Sequence, residues 1–366
     1  MDKSQTVKIS PKIDKKTLVS FKIIHEKEEA PPEAPQKEMV TKPRGLINYG
    51  NTCFFNTALQ LLASSNRFTT FIHKKTQEKT GDSDNDKHDE SMALLKYVCE
   101  LLDKNTDQKQ AQDIQGEIWK IITKHKSEYK NGQQQDCHEC VIFIIDFLNS
   151  ALLKQEKNDN IKRKISLGKD HSEIMKTFGN FYWEEHTYRM EHSIKSFHGL
   201  YHSSTTCTVC KTENNKWDIF NNVSLMINHK NFKEWLVDFC KQETLEGYEC
   251  EKCKKHQTAI RQMEVWRYPK TLILHSISKT FKNINTELVV NEPVHGKCKF
   301  ILKSVGFHSG NTLDSGHYYC CVNRDSKWWF ISDETVSEPI DPFKELPNHI
   351  NNSYLLLYER IEKNMN

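Results

Sequence analysis

The stretch Gly45-Leu46-Ile47-Asn48-Tyr49-Gly50-Asn51-Thr52-Cys53-Phe54-Phe55-Asn56, continued by Thr57-Ala58-Leu59-Gln60-Leu61-Leu62, is built to make one cysteine reactive. Glycine and asparagine before Cys53 tolerate unusual backbone angles and favour a tight turn. Phe55, Leu59 and Leu62 then recur at near-helical spacing. The spacing predicts Cys53 at a helix N-terminus, where the helix dipole and free backbone N–H groups favour the nucleophilic thiolate. The ordinary reading of a cysteine is a buried structural one, and the chain has twelve.

A cysteine nucleophile needs a base and a group that orients the base. His317, in Asp314-Ser315-Gly316-His317-Tyr318-Tyr319, is placed at the start of a strand, with Gly316 permitting close backbone approach. His308, in Phe307-His308-Ser309-Gly310, is its main competitor. Downstream lies Trp328-Trp329-Phe330-Ile331-Ser332-Asp333-Glu334-Thr335-Val336. A hairpin between the two segments would bring Ser332 or Asp333 beside His317 to fix its tautomer. A tetrahedral intermediate also needs donors for its oxyanion. The Asn48 amide and the Cys53 backbone N–H are candidates.

Two further cysteine pairs carry a different chemistry. Cys207-Thr208-Val209-Cys210 and Cys250-Glu251-Lys252-Cys253 each present two thiolates from a tight knuckle. Two knuckles complete a closed, tetrahedral, structural zinc site, here at the tip of an extended element. In Gln134-Gln135-Asp136-Cys137-His138-Glu139, Asp136 is read as a helix cap, with Glu139 completing a capping box. Gln135 and Asp136 are also candidate substrate contacts.

The elements around these residues follow from composition and periodicity. The 366 residues suffice for two average domains or one large one. With 37% apolar and 28% charged residues, the chain is read as soluble. A net charge of +3 leaves no basic footprint for nucleic acid. No apolar run approaches the ~20 residues of a membrane span, and the polar start has no signal core. The expected compartment is therefore intracellular, cytoplasmic or nuclear, with the cysteines reduced, metal-bound or catalytic. Residues 1–43, rich in Lys, Glu and Pro, read as a flexible arm, and 362–366 as a tail. From Gly45 to Leu153 the pattern is helical: Met92–Leu102, then Ile114, Ile118, Ile121 and Ile122, then Val141, Ile144, Ile145 and Leu148. Gly81–Glu90 reads as an acidic loop and 154–172 as a charged, flexible insertion. Ile219–Ile227, Met263–Ile277, Lys299–Phe307, Tyr318–Val322, Trp328–Ser332 and Tyr354–Tyr358 read as strands. There is no internal repeat, and helices followed by strands give an α+β architecture.

Together these segments resemble the catalytic domain of the ubiquitin-specific proteases, papain-like cysteine deubiquitinases. Gly45–Leu62 resembles the family's cysteine box, and Gln134–Glu139 its Gln-Gln-Asp box. Phe197-His198-Gly199 with the two cysteine pairs is similar to its zinc-bearing fingers. His308–Tyr319 and Trp328–Val336 resemble its histidine box, and Tyr354–Tyr358 its closing strand. The resemblance spans about residues 44–361. It implies a helical thumb, a mixed palm and β fingers at about 200–265. It also implies that Cys53 is the nucleophile, His317 the base, Asn48 the oxyanion donor and Asp136 a contact for the ubiquitin tail, with His308 and Gly316 lining the same site. The implied reaction is hydrolysis of the isopeptide bond between the ubiquitin C-terminal glycine and a substrate lysine, through a thioester, with zinc structural. Ubiquitin and ubiquitinated proteins are the implied partners. Ser332 stands where the family usually has Asn or Asp, with Asp333 next to it. The strand Leu272-Ile273-Leu274-His275-Ser276-Ile277-Ser278 lacks the Lys-Arg-Phe that commonly follows. Two rival functions are a catalytically weak ubiquitin-binding scaffold and an isopeptidase for a ubiquitin-like modifier.

Overall fold

The computed structural model describes residues 42–77, 86–103, 105–152, 170–190, 192–226, 229–278, 281, 284–310, 315–345 and 347–361. Most of the arm, the tail, most of the expected 154–172 insertion and the first half of the Gly81–Glu90 loop lie outside these residues.

The first half of the chain is helical: α1 (Cys53–Ala63), α2 (Asn66–Gln77), α3 (Asp86–Leu102), α4 (Gln108–His125), a 3-10 turn (Ser127–Asn131), α5 (Cys137–Ala151), α6 (His171–Thr187) and α7 (His192–Lys195). Then come β1 (Gly199–Cys207), β2 (Glu213–Phe220), β3 (Val223–Leu225), α8 (Phe232–Phe239), β4 (Glu243–Cys250), β5 (Lys255–Arg267), β6 (Thr271–Ser276), β7 (Glu287–Glu292), β8 (Gly296–Ser309), β9 (His317–Arg324), β10 (Lys327–Ser332), β11 (Thr335–Val336), α9 (Pro342–Glu345), α10 (Pro347–Ile350) and β12 (Ser353–Arg360). Helix first and strand after is the α+β order read from the sequence.

The strands form two sheets. One has the order β2-β1-β5-β4; the other runs β11-β10-β9-β8-β12-β6-β3, with β7 added on β8. Pairing is antiparallel throughout, apart from the parallel pair β3–β6. Every residue of α1 is buried, so this helix is the hinge pin between the helical layer and the large sheet. Period-two alternation along β9 explains how. Tyr318, Cys320 and Val322 face α1 and share its core. Tyr319 and Cys321 face the opposite core with Leu272, Phe300 and Leu356. With both faces covered, the central strands read as near-continuous apolar runs, which is why β9, β10 and β12 were visible in the sequence.

Some expected elements are divided differently. Ile219–Ile227 breaks at Asn221-Asn222 into the end of β2 and the whole of β3, and Met263–Ile277 breaks around Pro269 into β5 and β6. Proline cannot donate to a ladder. The last residues of the expected acidic loop, from Asp86, already belong to α3, and the last of the expected insertion begin α6 behind its cap Asp170.

Candidate active site

Cys53 is the first residue of α1. The turn before it uses left-handed backbone at Gly50 (φ +90) and Asn51 (φ +58), so the Gly-Asn pair is conformationally required. Asn48 Oδ1 accepts from the backbone N–H groups of Gly50 and Thr52, both at 3.0 Å, and from the Thr52 hydroxyl at 3.2 Å. The Asn48 side chain thereby staples the turn through Oδ1 and keeps its Nδ2 for a partner outside the turn.

The state of the Cys53 thiol corrects the expectation drawn from the helix end. Burial pushes its pKa up. Backbone N–H groups of Tyr318, Phe54 and Cys53 itself pull it down, and the Asp333 carboxylate adds to the rise. The net direction is up. A helix dipole acts only within the first turn, and loss of hydration outweighs it at a residue 1% exposed.

His317 opens β9, and the next residue touches the nucleophile: the Tyr318 N–H donates to Cys53 Sγ at 3.5 Å. His317 Nε2 lies 2.8 Å from Ser332 Oγ at the end of β10, and 3.9 Å from Asp333 Oδ2. The β9–β10 register, with Ile331 opposite Cys320, sets this up. Asp333 follows at a left-handed turn position, φ +48. Its Oδ2 accepts from Asn48 Nδ2 at 3.0 Å and its Oδ1 from Asn56 Nδ2 at 2.8 Å. The carboxylate therefore bridges the histidine strand to the cysteine turn, a link the sequence reading did not contain. Its signal was Asn56 itself, a polar residue on a wholly buried helix.

The other expected residues are distributed around this centre. A Cβ on Gly316 would come within 2.4 Å of Ser309 O and 2.7 Å of His308 Nε2, so only glycine fits before His317. His308 is buried behind it, 2% exposed, with its ring 4.4 Å from that of Tyr318. Gln134 Nε2 donates to Gly316 O, tying the segment before α5 to the histidine strand. Asp136 caps α5 through Oδ1, accepting from His138 N–H (2.6 Å) and Glu139 N–H (3.2 Å), while its Oδ2 takes the Tyr354 hydroxyl. Gln135, half-buried, makes only long contacts to Glu128 O and Asn131 Oδ1. The missing Lys-Arg-Phe would follow His275, where the chain has Ser276-Ile277-Ser278. His275 stacks on His138 with centroids 4.1 Å apart. Burial and the neighbouring His138 push the His275 pKa down to about 4.

The four paired cysteines meet at the far end of the small sheet. Cys207 and Cys210 turn the β1–β2 hairpin, and Cys250 and Cys253 the β4–β5 hairpin. Each knuckle closes alike: the Lys211 N–H donates to Cys207 O (3.0 Å) and the Lys254 N–H to Cys250 O (2.8 Å), with both lysines left-handed. All four sulfurs lie within 4.8 Å of one another. Cys210–Cys250 and Cys207–Cys253 are 3.5 and 4.0 Å apart. Four sulfurs at ~2.3 Å from one tetrahedral ion stand about 3.8 Å apart, so this group can hold a metal ion.

A helical layer on a large, mainly antiparallel sheet, with a cysteine at a helix start touching the strand that a histidine opens, fits the papain-like cysteine protease fold. Residues 44–358 match the family model of ubiquitin carboxyl-terminal hydrolase, and the chain belongs to that family. Among curated relatives, human ubiquitin carboxyl-terminal hydrolase 3 is 23% identical over 355 residues, covering 80% of this chain and 64% of the relative. Ubiquitin carboxyl-terminal hydrolase 25 of Arabidopsis thaliana is 28% identical, covering 89% and 48%. The chain thus spans less than two thirds of these relatives' length. Among solved structures, the SAGA Ubp8/Sgf11/Sus1/Sgf73 DUB module bound to ubiquitin aldehyde matches with a TM-score of 0.68 at 22% identity, covering 90% of this chain and 72% of that one. The helical layer is the thumb of this fold, the large sheet its palm, and the small sheet its fingers. No described helix is long and apolar enough to cross a membrane.

Proposed function

We propose that the chain is a thiol-dependent deubiquitinase that hydrolyses the bond between the ubiquitin C-terminal glycine and a lysine amine of a conjugated protein. The observation that carries this is the seam between α1 and β9. A cysteine at a helix start touches the residue after a histidine whose far nitrogen is held by a strand-end hydroxyl.

With Nε2–H donated to Ser332 Oγ, Nδ1 is the nitrogen left to take the proton of Cys53. In the resting geometry the Cys53 sulfur is held by the Tyr318 N–H and the thiol is favoured. Seating of the substrate tail therefore has to bring the imidazole onto the thiol. The sulfur then attacks the glycine carbonyl. The oxyanion is met by the Cys53 backbone N–H and by the Asn48 Nδ2 hydrogen not given to Asp333. The imidazolium protonates the departing lysine amine, leaving a thioester. Water, deprotonated by the same nitrogen, attacks the thioester and releases the ubiquitin carboxylate. Gln135, Asp136 and Gly316 are assigned to the wall along which the tail lies, with His308 packed behind Gly316 to support it.

Zinc is the metal proposed for Cys207, Cys210, Cys250 and Cys253. Four thiolates and no open position give it a structural role in the fingers. We assign the catalytic domain to residues 44–361, with 1–43 an accessory arm and 362–366 a tail, and keep the cytoplasm or nucleus as the compartment. The reading is tested with a ubiquitin C-terminal fluorogenic amide: the chain releases the fluorophore, and Cys53→Ala binds ubiquitin without release. Binding by the unmodified chain without any release would support the scaffold reading instead.

A further inference from the structure

We infer that Gln115 is a positioning residue for the oxyanion side of the site: from the buried face of α4 it holds Asn48 in place through Ile47, Asn56 and Asp333. The inference rests on the roles given above to Cys53 and Asn48.

The buried stripe of α4 is Ala111, Gln115, Ile118 and Ile122. A primary amide stands where the helix period calls for an apolar residue, and it is 1% exposed. Burying an amide costs free energy unless its hydrogen bonds are made, and here they are. Oε1 accepts from the Ile47 N–H at 2.8 Å. Nε2 donates to Ile47 O at 2.7 Å and to Asn56 Oδ1 at 2.9 Å. One side chain thus grips both backbone groups of the residue immediately before Asn48. The same amide fixes the orientation of Asn56, whose Nδ2 donates to Ile47 O (3.0 Å) and to Asp333 Oδ1 (2.8 Å). Asp333 in turn receives Asn48 Nδ2 through its other oxygen. Asn48 is therefore held on two sides, by its backbone neighbour and by its own amide, and both routes lead to Gln115.

A methionine or leucine would fill the same space, so packing alone does not call for the amide. All three of its hydrogen bonds end on the segment that carries Asn48 or on the residue that aims Asp333. No part of the substrate needs to touch Gln115. Removing it should leave ubiquitin binding intact and loosen the aim of the oxyanion donor. A displacement of about 1 Å at such a group can cost on the order of 100-fold in rate.

The test measures kcat and KM with a ubiquitin C-terminal fluorogenic amide for Gln115→Met, Gln115→Glu, Asn48→Ala and the two Gln115 changes on Asn48→Ala. Ile118→Val, one turn along the same stripe, controls for packing. Gln115→Met should lower kcat by ~10-fold or more with KM changed less than ~2-fold, and alkylation of Cys53 by iodoacetamide should proceed at the wild-type rate. Gln115→Glu retains the acceptor for Ile47 N–H and loses both donors, so it should fall similarly; it carries the comparison if the methionine variant does not fold. On Asn48→Ala, either change should cost several-fold less than it does on the wild type, because the Asn48 route is gone and only the Asn56–Asp333 link to His317 remains. A wild-type kcat for both Gln115 variants overturns the inference. So does the same loss with and without Asn48, or a matching kcat loss in Ile118→Val. A silent Asn48→Ala would instead remove the oxyanion reading beneath it.

Discussion

Changing Asp333 to alanine should damage turnover more than changing Ser332 to alanine, although Ser332 is the closer of the two to His317. The distances are 2.8 Å from Nε2 to Ser332 Oγ and 3.9 Å from Nε2 to Asp333 Oδ2. Ser332→Ala removes one neutral hydrogen bond, a net ~0.5–1.5 kcal/mol, or about 2- to 13-fold in rate. Asp333→Ala does more. It releases the amides of Asn48 and Asn56 and removes a carboxylate 3.9 Å from the ring that becomes the imidazolium in the reaction. If Asn48 is the oxyanion donor, freeing it approaches the loss of that donor, about 10²–10³ in kcat. Asp333→Asn should fall between, because one amide hydrogen bond can be kept while the charge is lost. Ser332→Asn should retain activity, since an amide oxygen can accept the same imidazole N–H. The assay is steady-state hydrolysis of a ubiquitin C-terminal fluorogenic amide, with kcat and KM resolved separately. An Asp333→Ala enzyme within threefold of wild-type kcat would refute the reasoning. So would a loss that falls wholly on KM.

Three other outcomes are expected. Zinc should be found one-to-one in the purified protein and be lost in Cys207→Ser. Its removal should melt the fingers before the palm, because the large sheet has two apolar cores of its own; normal zinc content in Cys207→Ser would contradict the ligand set. Burial pushes up the thiol pKa values of Cys137, Cys140, Cys320 and Cys321, the last to about 12. The folded state therefore keeps these protons after the unfolded chain loses them. This contribution should be full below pH ~8.5 and be lost progressively from there towards about pH 12, as read from denaturant midpoints; a flat profile across that rise would contradict the burial of the thiols. Deleting residues 1–41 should leave hydrolysis of a simple ubiquitin amide within about threefold, since Lys42, paired with Glu338 at 2.9 Å and lying over Trp329, remains to anchor the start of the domain. A large loss of kcat with the fold intact would show that the arm completes the site.

What could be read from the sequence was what local rules control. The turn before Cys53 was legible because Gly50 and Asn51 are residue types that accept left-handed angles. The two knuckles were legible because a Cys-x-x-Cys spacing dictates its own geometry. The central strands were legible because burial on both faces leaves them uniformly apolar. The finger strands were not: β4 (Glu243–Cys250) is polar and largely exposed, held by its pairing with β5 rather than by an apolar face. The Asp333 bridge was not legible either, because it joins residues 285 positions apart and exists only once α1 is wedged against β9. The thiolate expectation failed for a related reason. A dipole argument is local, whereas burial of Cys53 is a property of the whole packing.

The most direct measurement is intact-mass analysis and peptide mapping after incubation with ubiquitin bearing a C-terminal electrophile. The account predicts one ubiquitin added per chain, attached at Cys53 among the twelve cysteines, and none added to Cys53→Ala. Tight ubiquitin binding with no adduct, or an adduct mapped to another cysteine, would contradict it.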